Sequence, residues 1–263
     1  MEENEVKKEE INEENYLVEA NNISMSFVVP EYKYDTLKER VIFFLKGKRN
    51  HKRILTVLQD LSFKIKKGES LGVIGHNGAG KSTLLKIVAG IYRPSTGTIK
   101  TNGQVVLLNL GTGFDMEADA EENIYLNGAI LGFSRKQMKE RFDSIIEFAE
   151  LHNYTKLPLK NYSSGMISRL AFAIAIDVHP DLLLVDEILS VGDANFQRKC
   201  MDKILALKND GVSFFFVSHN ITQVQRLCEN TLWIEGSKVM DYGESSKICK
   251  EYLDYCSALA NKK

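Results

Sequence analysis

The chain has 263 residues, 44% hydrophobic and 26% charged, with 34 basic against 35 acidic side chains. That composition excludes a disordered or collagen-like polymer and suffices for one substantial domain; a net charge of −1 leaves no surplus of positive charge for general binding to nucleic acid. The longest apolar runs, such as Val41 to Leu45 and Leu170 to Ile176, fall well short of the roughly 20 residues that span a bilayer.

In chain order, residues 1–15 carry seven Glu against Lys7 and Lys8, a net −5. With almost nothing to bury, this segment is expected to be a disordered acidic tail ahead of a single domain over 16–260. Its acidic start lacks the basic and apolar regions of a secretory signal, so the product is expected to stay in the cytoplasm. From Tyr16 to Val29 and from Ile54 to Ile65, branched and aromatic residues alternate with polar ones, which predicts antiparallel strands. Between them, residues 36–53 hold seven Lys or Arg against Glu39, a net +6. Leu37, Val41, Phe44 and Leu45 within this insertion (about 35–53) follow helical spacing, with Asp35 or Thr36 as cap. Such a helix either lies on an anionic membrane surface or packs its apolar face on the domain or a partner.

A short apolar strand, Leu71 to Ile74, leads into Gly75-His76-Asn77-Gly78-Ala79-Gly80-Lys81-Ser82-Thr83, and a helix is expected from Lys81. The run satisfies G-x-x-x-x-G-K-S/T between strand and helix. Its glycines let successive N–H groups point into one concavity, the helix N-terminus adds its dipole, Lys81 adds a full charge and Ser82 offers a hydroxyl to Mg²⁺. Residues 97–110 are expected to form a hairpin, and 117–176 a helical region with Met138, Phe142, Ile145, Ile146 and Phe148 to Ala149 on one stripe. Leu182 to Val185 and Ser213 to Val217 are almost uninterrupted apolar strands, as parallel strands buried on both faces are. The first of these ends in Asp186-Glu187. Open α/β sheets place ligands at the carboxyl ends of their strands, so Asp186 can reach a Mg²⁺ shell and Glu187 can polarise an attacking water. Cys200, Cys228, Cys249 and Cys256 show no metal-ligand spacing and are expected to be incidental thiols.

Three further motifs in order make the chain resemble ATP-binding cassette (ABC) ATPases. Tyr162-Ser163-Ser164-Gly165-Met166 resembles the family's signature loop, Ser190-Val191-Gly192-Asp193 the loop after the catalytic Glu, and Ser218-His219-Asn220 the switch histidine. The resemblance implies an α/β P-loop NTPase fold with a mixed sheet core, an antiparallel β subdomain and a helical subdomain. It implies ATP with Mg²⁺, catalysis by Glu187 and His219, and a homodimer. In that dimer Ser163, Ser164 and Gly165 of one copy face the ATP of the other, and Asp193 lies in the dimer loop.

The insertion before the phosphate loop, the stretch Leu108 to Asn123, YSSGM and DEILSVGDANFQRKC narrow the resemblance to the subgroup exporting lipid-linked polysaccharides such as O antigens, capsules and teichoic acids. This implies a peripheral subunit on the cytoplasmic face of the membrane, with a separate transmembrane subunit handling the glycan and no nucleic acid. Some members carry an added carbohydrate-binding domain, which is not expected here. Export of another substrate, or a soluble non-transport ABC ATPase, is the alternative. The family's Mg²⁺-sensing glutamine has no counterpart. Asn109 stands there, either as a shorter metal-side substitute or as a strand-end residue. By position Phe27 is the adenine-stacking aromatic, with Tyr32 and Tyr34 as rivals.

Overall fold

In the computed structural model, which describes residues 16–30, 52–108, 113–186 and 193–260, the chain starts as two 15-residue strands, β1 (Tyr16–Pro30) and β2 (Lys52–Lys66). They pair antiparallel from Tyr16 opposite Lys66 to Pro30 opposite Lys52. Inward side chains on β1 are Val18 and Ala20, then Ile23 and Met25. The change of parity needs an extra residue, which the irregular pairing beside Asn22 (φ 48°) supplies; Asp60 (φ 51°) does the same between Leu58 and Leu61. Of the basic insertion, residues 35–51 lie outside the described residues, and Lys52 and Arg53 begin β2.

β3 (Leu71–Ile74) is buried at every position and is followed by α1 (Lys81–Val88), as the sequence predicts. The hairpin expected over 97–110 does not form. β4 (Thr96–Thr101) pairs with β1 in a three-stranded antiparallel sheet, whereas β5 (Val105–Leu108) joins a second sheet parallel to β6 (Leu182–Asp186). Burial explains the separation: β4 is mostly polar and exposed, while the apolar Val-Val-Leu-Leu of β5 matches the fully buried leucines of β6. Asp181 fixes the crossing, its carboxylate accepting from the Gln104 N–H at 2.9 Å.

The second sheet has the order β5-β6-β7-β3-β8-β9, with β7 spanning Ser213–Val217, β8 Asn230–Glu235 and β9 Lys238–Glu244. Its first five strands are parallel and β9 is antiparallel. β3 therefore sits inside the sheet, with the carboxyl ends of β6 and β7 beside its own. Separate apolar cores fill the sheet's two faces.

A third core joins α2 (Ala120–Ile130), α3 (Arg135–Ala149) and α4 (Ser164–Asp177) around Ile124, Met138, Ile145, Ile146 and Leu170. α2 and α3 begin with capping boxes, Asp119 with Glu122 and Ser134 with Gln137, which satisfy orphan N–H groups at both starts. After β6 come α5 (Ala194–Asn209), β7 and α6 (Ile221–Leu227). The final helix, α7 (Ser245–Ala260), buries Ile248 and Cys249 against the sheet. Among the described residues, no helix is long and apolar enough to cross a membrane.

Candidate functional site

The loop after β3 carries its three glycines at positive φ: Gly75 at 146°, Gly78 at 83° and Gly80 at 106°. A Cβ on Gly80 would lie 2.6 Å from Leu58 Cδ2 and 2.7 Å from the Val57 carbonyl, and one on Gly75 would strike the carbonyl of Ile234. Both positions therefore need glycine for backbone geometry and for close seating. Lys81, only 7% exposed, folds back so that Nζ donates to the carbonyls of Gly75 at 2.7 Å and His76 at 2.9 Å. α1 has no side-chain cap and no acidic residue in its first turn, which leaves its N-terminal N–H groups for an anion.

A cleft of about 300 Å³ opens over this loop, lined by Asn77, Gly78, Lys81, Ser82, Asp186 and His219, with Gly80, Thr83, Val57 and Val217 completing the wall. Adjacency of β3, β7 and β6 is what brings Lys81, His219 and Asp186 together from distant parts of the chain. His219 is held between two capped turns: Ser218 Oγ accepts from the Asn220 N–H at 3.0 Å, and Asn220 caps α6 by accepting from the Gln223 N–H at 3.1 Å. A second, apolar cleft of about 240 Å³ lies between β5 and the helices, lined by Ile91, Leu107, Phe114, Ile130, Leu131 and Ile174 among others.

Ser163 and Ser164 are exposed at the start of α4. Ser163 Oγ accepts from the Met166 N–H at 3.2 Å, which leaves its own proton free to donate outward. A Cβ on Gly165 would meet only Ser163 Oγ, at 3.8 Å, so nothing within the described chain requires glycine there. One turn beyond Gly165, Arg169 bonds Asp193 Oδ2 at 2.6 Å and Glu150 Oε2 at 2.8 Å, and covers the Phe196 ring at 4.6 Å. Asp193 caps α5, accepting from the N–H groups of Asn195 and Phe196 at 3.0 Å each. Its carboxyl is held below the usual range first by the Phe196 N–H, with the Asn195 N–H and the Arg169 charge adding to it.

The sequence profile described as ABC transporter matches residues 58–190. The chain is 42% identical over 215 residues to an O-antigen export system ATP-binding protein, RfbB, of Klebsiella pneumoniae, covering 81% of this chain and 85% of that protein. The chain belongs to the ABC transporter family. A similarly named RfbB of Myxococcus xanthus is also 42% identical, over 227 residues, 85% of this chain; the match spans 52%, about half, of that longer relative. The fold is that of a solved ATP-binding subunit of an ABC transporter (TM-score 0.71, 21% identity, 90% of this chain and 93% of that one). It is also that of a dimeric ATP-binding cassette in a post-hydrolysis state bound to ADP and Pi (TM-score 0.68, 20% identity, 87% and 98%).

As a member of that family the chain is an ATP-binding subunit and an ATPase. The ABC subunit gathers Asn77, Gly78, Gly80 to Thr83, Asp186 and His219 around one cleft, while Gly75, His76 and Ala79 of the same loop, and Ser163, Ser164, Gly165 and Asp193, are not among the residues lining it. Glu187 and Asn109, like Tyr32 and Tyr34, lie outside the described residues. Phe27 does not line the phosphate cleft. It is half-buried on β1 with its ring edge-on to Tyr92 at 5.7 Å, and Val57 of β2 forms the cleft wall instead. Sequence reasoning missed Val57, an ordinary strand residue, and also Asn123. The Asn123 side chain is fully buried and holds the loop before α2, donating to the carbonyls of Asp115 and Asp119 at 2.9 Å while accepting from the Asp115 N–H at 2.8 Å. A buried, multiply bonded Asn leaves no local signal beyond its polarity.

Proposed function

We propose that this chain is the ATPase subunit of an exporter for a lipid-linked polysaccharide of the O-antigen, capsule or teichoic acid type. It works as a homodimer bound to a separate transmembrane subunit at the cytoplasmic face of the membrane, and that subunit handles the glycan. The observation that carries this reading is the 42% identity, across four-fifths of the chain, to proteins named for O-antigen export.

The residues divide the work. The N–H groups of 75–83 and the Lys81 ammonium bind the phosphates of ATP. Ser82 and Asp186, hard oxygen donors facing the same cleft, fit Mg²⁺ and are the residues that would hold it. When bound, the metal neutralises phosphate charge. Glu187, next to Asp186, orients and polarises the attacking water, and His219 contacts the γ-phosphate from the same side. Ser163, Ser164 and Gly165 of the second copy close over the γ-phosphate. That role supplies the demand for glycine at 165, since packing within the described chain makes none. Asp193 places the dimer loop beside the second copy.

The test is Glu187→Gln together with deletion of the coding gene. Phosphate release falls by at least about 100-fold, an ATP-bound dimer accumulates in size-exclusion chromatography, and the deletion strain accumulates a lipid-linked glycan on the cytoplasmic side. Undiminished hydrolysis would remove the role of Glu187. Normal surface glycan in the deletion strain would remove the substrate class.

A further inference from the structure

His76, the second residue of the phosphate loop, joins three elements. Its backbone carbonyl accepts from Lys81 Nζ at 2.9 Å, and its ring Nδ1 lies 2.6 Å from Glu235 Oε2 at the end of β8. The ring also stands edge-on to Tyr252 and Tyr255 of α7, with centroids 5.9 and 6.3 Å away. The same two tyrosines pack edge-on against Trp233 of β8, at 5.6 and 5.1 Å. Trp233 is 7% exposed, and its Nε1 has no hydrogen-bond partner among the described residues. No hydrogen bond therefore fixes the indole ring, which packs in the apolar core with both tyrosine rings against it.

Both carbonyls that bind the Lys81 ammonium belong to Gly75 and His76. The orientation of that dipeptide consequently helps to set where the charge meets the phosphates. Gly75 is pressed against the Ile234 carbonyl, one residue before Glu235, so this flank of the loop rests on the end of β8. The His76 side chain is then held between a carboxylate and an aromatic pair, neither of which lines the cleft. None of the phosphate-loop chemistry accounts for these contacts.

We propose that the C-terminal helix is a positioning element for nucleotide binding: Glu235 and Tyr252 hold His76, and through it the Gly75–His76 carbonyls and Lys81, in the form that accepts ATP phosphates. Glu235 and Tyr252 are positioning residues, acting only through His76. Linkage makes the effect reciprocal, so filling the loop alters the ring contacts of α7 and the environment of Trp233. The inference rests on the loop being the ATP site; wild-type protein that failed to bind ATP at all would reveal the failure of that reading instead.

The test uses the full chain, a fluorescent ATP analogue for affinity, and steady-state ATPase assays. Tyr252→Leu and Glu235→Ala each raise Kd and KM about 3- to 10-fold, the size of one lost ordered contact, with kcat within about twofold. Glu235→Gln, which keeps an acceptor for the ring N–H, recovers most of the affinity. In a His76→Ala background Tyr252→Leu adds less than about twofold, because its route to the loop is already cut, whereas Glu235→Ala keeps part of its effect through the His76 backbone N–H, which donates to Glu235 Oε2 at 3.5 Å. Equal losses with and without His76, or no loss in folded variants, would overturn the proposal. A measurement that needs no α7 variant is the emission of Trp233, the single tryptophan of the chain. It shifts on saturation with ATP in the wild type and not in His76→Ala, and an unchanged wild-type spectrum would also overturn it.

Discussion

Arg169 on α4 and Asp193 at the start of α5 form an ion pair 2.6 Å long, which ties α4 to the residue that caps α5. Arg169 is only 19% exposed and its second nitrogen holds Glu150, so one guanidinium fork locks three elements in register. Arg169→Ala is expected to destabilise the fold by about 1–3 kcal/mol through lost charge-assisted bonds and lost packing on Phe196. For a chain of this size that is a fall in Tm of about 2–12 °C by calorimetry. Arg169→Lys recovers only part of it, because an ammonium cannot serve both carboxylates in the plane of the fork.

The Asp193 carboxylate adds a pH signature. Its folded pKa lies below the ordinary value, chiefly through the Phe196 N–H, and the unfolded value is about 3.9. A depressed carboxylate contributes stability that is fully present above the unfolded pKa and is lost as pH falls through the folded one. The stability gap between wild type and Asp193→Asn should therefore be constant from neutral pH down to about pH 5 and close below about pH 4. Denaturant melts over that range check it.

Two glycines separate folding from turnover. Gly80→Ala places a Cβ 2.6 Å from Leu58 Cδ2 and 2.7 Å from the Val57 carbonyl at φ 106°. It should cost at least about 2 kcal/mol in urea denaturation as well as ATP affinity. Gly165→Ala meets only Ser163 Oγ at 3.8 Å. Alanine is also the better helix former, so stability should hold or rise by up to about 1 kcal/mol. Under the dimer reading, ATPase activity of Gly165→Ala nevertheless drops by about 10-fold or more, because the added methyl meets the ATP held by the second copy. An active Gly165→Ala enzyme would count against that reading.

The four cysteines should differ in reactivity. Burial pushes the Cys200 thiol up to about 12 and raises those of Cys228 and Cys249 as well, whereas Cys256 is only half-buried on α7. Thiolate, not thiol, is the nucleophile. A thiol reagent at pH 8 should label one cysteine rapidly in the native protein, identified by mass spectrometry as Cys256, and all four in denaturant.

Much of this molecule was legible in its residues. The phosphate loop could be read because eight contiguous residues carry their own instructions: glycines for positive φ, a lysine, a hydroxyl and a helix start. Continuous apolar runs announced the buried parallel strands, and alternation announced β1 and β2. Residues 97–110 were misread because a Thr-rich strand, a glycine bend and an apolar strand look like a hairpin when only neighbours are considered. Burial instead sends Val105–Leu108 to the leucines of β6. Phe27 is placed in the sequence by position alone, and its edge-on contact with Tyr92 is one that no local pattern announces.

By itself the sequence determined the local chemistry: a strand, a phosphate-receiving turn, a helix, and an acidic strand end suited to a metal. Such features depend on dihedral preferences and side chains within a few residues of one another. Only the tertiary structure decided which distant groups serve that turn. His76 finds Glu235 across 159 residues, and Asp186 and His219 reach the same cleft, because the strand order sets β3 between β7 and β8 with β6 alongside. Partner choice over such separations follows from which faces are buried together, a property of the packed sheet and not of any segment within it.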